Sequence, residues 1–172
     1  MSARTFGWLL SVVVLAAGCG YHVPGGGDKW AGEGGRTLCV ELFANRTTEP
    51  YLDSILTDEV SVQFSRLRLV ELTERCGSAD LRLGGTITSF SSSNLAYNPK
   101  DEISEYSASV AATAQLVRRS DGKVLWQGSL SRSEVYSAQD NKSQQQAGES
   151  LAARTASRRL AEDLVARLLE NF

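Results

Sequence analysis

The chain has 172 residues, with 18 lysines and arginines against 20 aspartates and glutamates, and a formal net charge of −2. This balance lacks the basic excess of nucleic-acid-binding proteins, so we expect no nucleic-acid partner. Three cysteines without paired spacing and a single histidine, His22, argue against a metal centre, and we expect no cofactor.

Residues 1–18 have the layout of a secretory signal peptide. A positive charge at Arg4 precedes an apolar run over 8–15, and the small residues 16–18 follow as a cleavage region. The apolar run is too short to cross a bilayer, which takes about 20 residues.

Cys19 follows this segment directly and is predicted to be lipidated. The stretch from Leu15 to Cys19 resembles the bacterial lipobox, in which the cysteine becomes the first mature residue and carries acyl chains. The commonest pattern has leucine three positions before the cysteine, where this chain has Ala16. Gly20 replaces the aspartate of the inner-membrane retention signal, which favours the outer membrane. Residues 19–35 are rich in glycine and are predicted to be a flexible tether.

The first half of the remaining chain predicts a parallel βαβ unit. A strand over 36–43 places Leu38, Val40 and Leu42 on one face. A helix over 50–67, capped by Thr48, and a strand over 68–72 follow. One helix stripe contains the apolar residues, namely Leu52, Ile55, Leu56, Val60, Phe64 and Leu67.

The second half predicts three further strands and a helix. A strand over 81–90 leads to a polar loop over 91–101 and to a strand with alternating apolar and polar residues over 106–117. Asp121-Gly122 predicts a tight type I′ hairpin before the return strand. A helix over 146–170 buries an apolar stripe. The outer, solvated face is expected to carry Arg154, Arg158, Arg159, Glu162, Asp163 and Arg167.

The element order β-α-β-β-β-β-α predicts an α+β fold with two layers. We expect a mixed four- or five-stranded sheet with both helices packed on one face, and a single domain over 36–172.

Cys39 and Cys76 are an even pair in a chain predicted to reach an oxidising compartment. They are a candidate disulfide. The alternative is that Cys39 is a small buried thiol within a strand, and sequence alone does not decide between the two.

Three cations, Arg118, Arg119 and Lys123, flank the predicted hairpin tip. They are candidates for contacting the phosphates of an anionic lipid. The alternative is that charges at a loop tip serve solubility.

No residue pattern in the chain favours catalysis. A nucleophile–histidine arrangement would have to use His22, which lies in the predicted tether, and the glycines at 25–27 lack the Lys-Ser/Thr of a phosphate-binding loop. We therefore predict a protein that is not an enzyme.

Three groups of residues together resemble the LptE family of lipopolysaccharide-assembly lipoproteins. They are CGYHV at 19–23; LFANRTTEPYL at 42–52, followed by LTDEV at 56–60; and ADLRLGGTI at 79–87, followed by GKVLW at 122–126. The similarity covers nearly the whole mature chain, and the glycine-rich stretch after Val23 departs from the family pattern.

The resemblance implies an outer-membrane lipoprotein that plugs and helps to assemble a β-barrel translocon and assists delivery of lipopolysaccharide to the outer leaflet. Its domain would face the periplasm or the barrel lumen, and Arg118, Arg119 and Lys123 would be candidate lipopolysaccharide contacts. The alternative is a periplasmic lipoprotein that activates a cell-wall synthase or assembles a secretion pore. A lipid-binding carrier is a third interpretation, disfavoured by the modest aromatic content.

Overall fold

The structure is a computed structural model that describes residues 36–170. This part of the chain forms six strands and two helices. In chain order they are β1 Thr37–Val40, β2 Ala44–Asn45, α1 Leu52–Leu67, β3 Glu71–Leu72, β4 Leu81–Tyr97, β5 Ile103–Arg118, β6 Val124–Ser137 and α2 Lys142–Glu170.

All six strands belong to one mixed sheet with the order β3-β1-β4-β5-β6, and β2 pairs separately with β4. β1 is parallel to both β3 and β4, whereas β5 is antiparallel to β4 and to β6. The predicted α+β class, the mixed sheet and the parallel βαβ unit are therefore confirmed.

The sixth strand arises because the strand predicted over 36–43 is interrupted after Val40. Leu42 was expected on the buried face, but its side chain is 66% exposed, whereas Phe43 is 1% exposed. Phe43 lies against Gly85 on β4, and its N–H donates to Thr57 Oγ1 at 3.1 Å. The chain thus turns its aromatic residue into the core and resumes pairing with β4 as β2.

Both helices pack on one face of the sheet around a single large core. From α1 the core takes Leu52, Leu56, Val60 and Phe64, which confirms most of the predicted stripe. Ile55 and Leu67 were also assigned to that stripe, but Ile55 is only partly buried and Leu67, the last residue of the helix, is 41% exposed. α2 contributes small and branched side chains at helical spacing, including Ala153, Ala156, Leu160, Leu164 and Leu168.

The loop predicted over 91–101 is wrong, because β4 continues to Tyr97 and β5 begins at Ile103. Irregular register after Ile87 and near Leu95 lets the serine-rich part of β4 keep its backbone pairing with β5. The serines suggested a loop because they show no apolar alternation. The backbone hydrogen bonds to β5 keep this segment in a strand, although few of its residues have a high β-propensity.

The type I′ turn predicted at Asp121-Gly122 is also wrong. That turn requires positive φ at both central residues, but among the described residues of this hairpin only Gly122 has it, at 71°. The Arg118 N–H donates to the Lys123 carbonyl, and the Gly122 N–H donates to the Arg118 carbonyl, each at 2.9 Å. A five-residue connection over 119–123 therefore joins β5 to β6.

The outer face expected for the last helix needs a correction as well. Asp163 pairs with Arg132, and Arg159 pairs with Glu134, and both partners lie on β6. These two helix charges tie α2 to the sheet, because residues 132 and 134 of β6 point to the side that α2 covers.

Candidate functional site

Arg118, Arg119 and Lys123 lie together at one end of the sheet. The two arginines already contact other residues of the domain. The Arg119 side chain donates through Nε to the Ala79 carbonyl at 3.0 Å, and its backbone N–H donates to the Asp80 carbonyl at 2.8 Å. Arg118 forms an ion pair with Asp121 at 3.4 Å. Within residues 36–170, no ion pair engages the ammonium group of Lys123.

Asp80 fixes the start of the described chain at this same end. Its carboxylate accepts hydrogen bonds from the backbone N–H groups of Arg36 at 2.9 Å and Thr37 at 3.0 Å, and from the Thr37 hydroxyl at 2.9 Å. These bonds, led by the one from the Thr37 N–H, lower the pKa of Asp80. The basic hairpin and Arg36, where residues 19–35 join the domain, therefore lie side by side.

Cys39 and Cys76 are joined in a disulfide that closes over the same region. Their Cα atoms are 5.0 Å apart, within the range that a disulfide spans, and 37 positions separate them in the chain. Cys39 pairs with Arg82 across β1 and β4, so its side chain points away from the helices. The bond fastens the loop over 73–80 to the sheet.

The sheet face opposite the helices carries mainly uncharged polar side chains, and the half-exposed Val135 and the exposed Glu105 also lie on it. On β5 the polar series predicted from the alternation lies opposite the buried residues Ala108 to Leu116. Across β4, β5 and β6 this face includes Ser89, Ser91, Ser93, Ser107, Ser109, Thr113, Gln115, Gln127, Ser129, Ser131 and Ser133. Neither described helix covers it. We call it the open face.

A shallow groove of about 630 Å³ lies at the end of the open face nearest β1, and its lining includes Gly84, Gln115, Gln127 and the exposed Leu42. Its one charged lining residue, Glu41, pairs with Arg82 at 3.4 Å. The arrangement offers hydroxyl and amide groups to a polar surface without leaving a charge unpaired.

A second groove, of about 680 Å³, separates the start of α1 from the stretch of α2 around Leu151. We call it the helix groove. Two exposed apolar side chains face solvent there: Tyr51 is 74% exposed and Leu151 is 65% exposed. Sequence reasoning missed this groove. The available signal was Leu151, a large apolar residue that lies outside the buried stripe of α2.

Tyr51 lies where α1 begins. The helix, predicted from about residue 50, begins at Leu52, and its N-cap is Tyr51 in the left-handed region, with φ of 64° and no side-chain cap. Thr48 does not cap it. Asn45 instead builds the preceding turn, because its Oδ1 accepts from the Thr47 N–H at 2.9 Å and its Nδ2 donates to the Glu49 carbonyl at 2.8 Å.

The predicted signal peptide over 1–18, the lipidation site Cys19 and the tether over 19–35, with His22, lie outside the described residues. In the described part of the chain, neither helix has the length and apolarity needed to cross a membrane. Residues 36–170 also contain no cluster of histidine, cysteine, aspartate and glutamate side chains that could hold a metal ion.

Comparison with known proteins gives a family and a fold. The family model LptE, described as lipopolysaccharide-assembly, matches residues 35–168. Among curated proteins, none is significantly similar to this chain.

Solved structures with the same fold come from several bacteria. A minor lipoprotein of Acinetobacter baumannii is 18% identical with a TM-score of 0.53, covering 79% of this chain and 94% of its own. Rare lipoprotein B of Shewanella oneidensis is 15% identical with a TM-score of 0.53, covering 74% and 93%. A protein of Xanthomonas campestris is 16% identical with a TM-score of 0.59, covering 79% and 85%. At these identities the likeness shows the fold alone.

Proposed function

Because the chain belongs to the LptE family of lipopolysaccharide-assembly proteins, we propose that it is an outer-membrane lipoprotein that plugs and helps to assemble a β-barrel lipopolysaccharide translocon. In this role it assists delivery of lipopolysaccharide to the outer leaflet by binding, not by catalysis. The observation that carries the proposal is the extent of the family match, which runs from residue 35 to residue 168 and so takes in every strand and nearly all of α2.

The anchor in this proposal is an acylated Cys19, exposed when residues 1–18 are removed. Each buried CH₂ of an acyl chain contributes about 0.8 kcal/mol, and two or more chains are needed for a stable anchor. Residues 19–35 would link the anchor to Arg36, which Asp80 fixes beside the basic hairpin. The similarity to a minor lipoprotein of Acinetobacter and to rare lipoprotein B of Shewanella supports this anchor.

The contact with lipopolysaccharide is assigned to the basic hairpin end. Lys123 has a free ammonium group among the described residues, whereas Arg118 and Arg119 can offer only those N–H groups that Asp121 and Ala79 leave unused. Lysine and arginine are the side chains that bind phosphate groups, which lipopolysaccharide carries.

The contact with the barrel is assigned to the open face. The interiors of outer-membrane barrels are polar. Hydroxyl and amide side chains can replace their hydrogen bonds to water with hydrogen bonds to the polar barrel wall. No unpaired charge is then buried, and burying one would cost several kcal/mol.

Purification through an affinity tag after Phe172, in mild detergent, tests the proposal. We expect a large outer-membrane β-barrel in stoichiometric amount, retained in high salt because salt screens exposed charge contacts but not an extensive interface. A Cys19→Ala variant serves as control and is expected to lose membrane anchoring. Recovery of a cell-wall synthase alone, or of no partner, would overturn the translocon proposal.

A further inference from the structure

We propose that the helix groove is a docking site for a lysine- or arginine-bearing segment of the β-barrel partner. This inference rests on the proposed function. It assigns a partner to a surface on the helix layer, which is the opposite side of the domain from the open face.

The groove presents apolar surface that the fold itself does not cover. Tyr51 and Leu151 come from different elements, 100 positions apart in the chain, and both face solvent across the groove. Its apolar lining is completed by Pro50, Leu52, Ile55 and Ala153. Paired exposed apolar side chains rimmed by polar residues are typical of a protein interaction site.

The turn before α1 holds Tyr51 in place for such a contact. Asn45 fixes the turn on one side through the Glu49 carbonyl. On the other side, the Tyr51 carbonyl accepts from the Ile55 N–H and from the Ser54 hydroxyl, each at 3.0 Å. A tyrosine at φ of 64° is strained, and only the surrounding structure maintains it. The backbone that carries the ring is therefore fixed before any partner arrives, which reduces the entropy cost of binding.

The charges around the groove select the class of partner. The lining of the groove contains one cation, Arg154, and three acidic residues, namely Glu49, Asp58 and Glu59. None of the three forms an ion pair within residues 36–170. Burial and the negative charge of Glu149 raise the pKa of Glu49. This negative rim repels the phosphates of lipopolysaccharide and of anionic lipids.

A lysine or arginine side chain complements both the apolar surface and the acidic rim of the helix groove. Its aliphatic stem can lie along the apolar surface of Tyr51 and Leu151 while its charged head reaches the carboxylates. The tyrosine ring can add a cation–π contact. Aromatic residues and desolvated charge pairs are the usual sources of binding energy in protein interfaces.

Two variants test the proposal in the tagged full chain by measuring how much β-barrel each lipoprotein retains after a dilution wash. Tyr51→Gly removes the ring but supplies the residue that adopts positive φ without strain, so its thermal stability should be unchanged or higher. Asp58→Lys reverses one rim charge. Its control is Glu74→Lys, which makes the same charge change in the loop over 73–80. We expect at least tenfold faster loss of the barrel from Tyr51→Gly and Asp58→Lys, and wild-type retention by Glu74→Lys.

A photocrosslinking residue at position 151 identifies the occupant. The expected product is a covalent link to a barrel peptide that contains lysine or arginine near the linked position. Retention of the barrel by both variants at the wild-type rate, or a link from position 151 only to lipopolysaccharide, would overturn the docking site and leave the proposed function intact. Failure of the unmodified chain to retain any barrel would overturn both.

Discussion

At the scale of single residues, Gly85 has the least room for a side chain. A Cβ atom there would collide with the Thr113 carbonyl and would lie 2.7 Å from the Phe43 ring. The glycine thus permits the inward turn of Phe43 that separates β1 from β2. We predict that Gly85→Ala lowers the free energy of unfolding by about 2 kcal/mol, as overpacking does.

Gly77 provides the matched control, because a Cβ atom there meets nothing within 4 Å. Gly77→Ala should change the free energy of unfolding by less than about 0.5 kcal/mol. Urea titration of both variants measures the difference. Equal stabilities for the two would contradict the packing described at Gly85.

The hydrogen bonds of Asp80 lead us to predict that the free energy of unfolding depends on pH. Its hydrogen bonds from Arg36 and Thr37 lower its pKa in the folded state, so the carboxylate contributes stability above its unfolded pKa of about 3.9. That contribution is lost as the pH falls through the lower, folded pKa. Asp80→Asn should be less stable than the wild type at neutral pH and should lose less stability between about pH 5 and pH 2. Parallel pH profiles for the two proteins in urea titrations would exclude this role.

At the scale of elements, the disulfide between Cys39 and Cys76 joins two segments that are far apart in the sequence. It encloses β2, α1, β3 and the first residues of the loop over 73–80, a separation of 37 positions. In the chain-entropy model, a loop of this size contributes about 4 kcal/mol. We predict that a reducing agent lowers the melting temperature of the wild type and leaves that of a Cys39→Ser/Cys76→Ser double variant unchanged. Equal melting temperatures for the wild type with and without reductant would show that the bond contributes no stability.

The elements that could be predicted from sequence are those whose apolar residues recur at a fixed spacing. Leu52, Leu56, Val60 and Phe64 mark one face of α1, and the alternation along β5 marks the buried and open sides of the sheet. The serines of β4 have no such pattern, and only their pairing with β5 makes them a strand. The exchange of Leu42 for Phe43 in the core was hidden for a related reason, because it depends on the space above Gly85.

The candidate sites divide in the same way. Arg118, Arg119 and Lys123 could be placed together because a single hairpin carries them. The structural use of Arg119 could not be predicted, since its acceptor, the carbonyl of Ala79, is 40 positions away. The helix groove could not be predicted for the same reason, because Tyr51 and Leu151 line one groove only after both helices have packed.

At the scale of the whole molecule, the domain has two distinct ends. β4 has 17 residues, which at roughly 3.3 Å per residue corresponds to a strand of about 55 Å. Arg36, the basic hairpin and the disulfide-fastened loop lie at one end, and the turn between β4 and β5, next to the exposed Tyr97, lies at the other. A lipid anchor at Cys19 would therefore bring the cationic end towards the membrane surface.

We propose that this chain is the lipoprotein subunit of a lipopolysaccharide translocon. Depleting the protein in its own bacterium and measuring the lipopolysaccharide accessible at the cell surface, with re-expression of the wild type as control, tests this role. We expect that surface lipopolysaccharide falls and that the β-barrel partner accumulates unassembled, with both restored on re-expression. Normal surface lipopolysaccharide and a normally assembled barrel in depleted cells would contradict it.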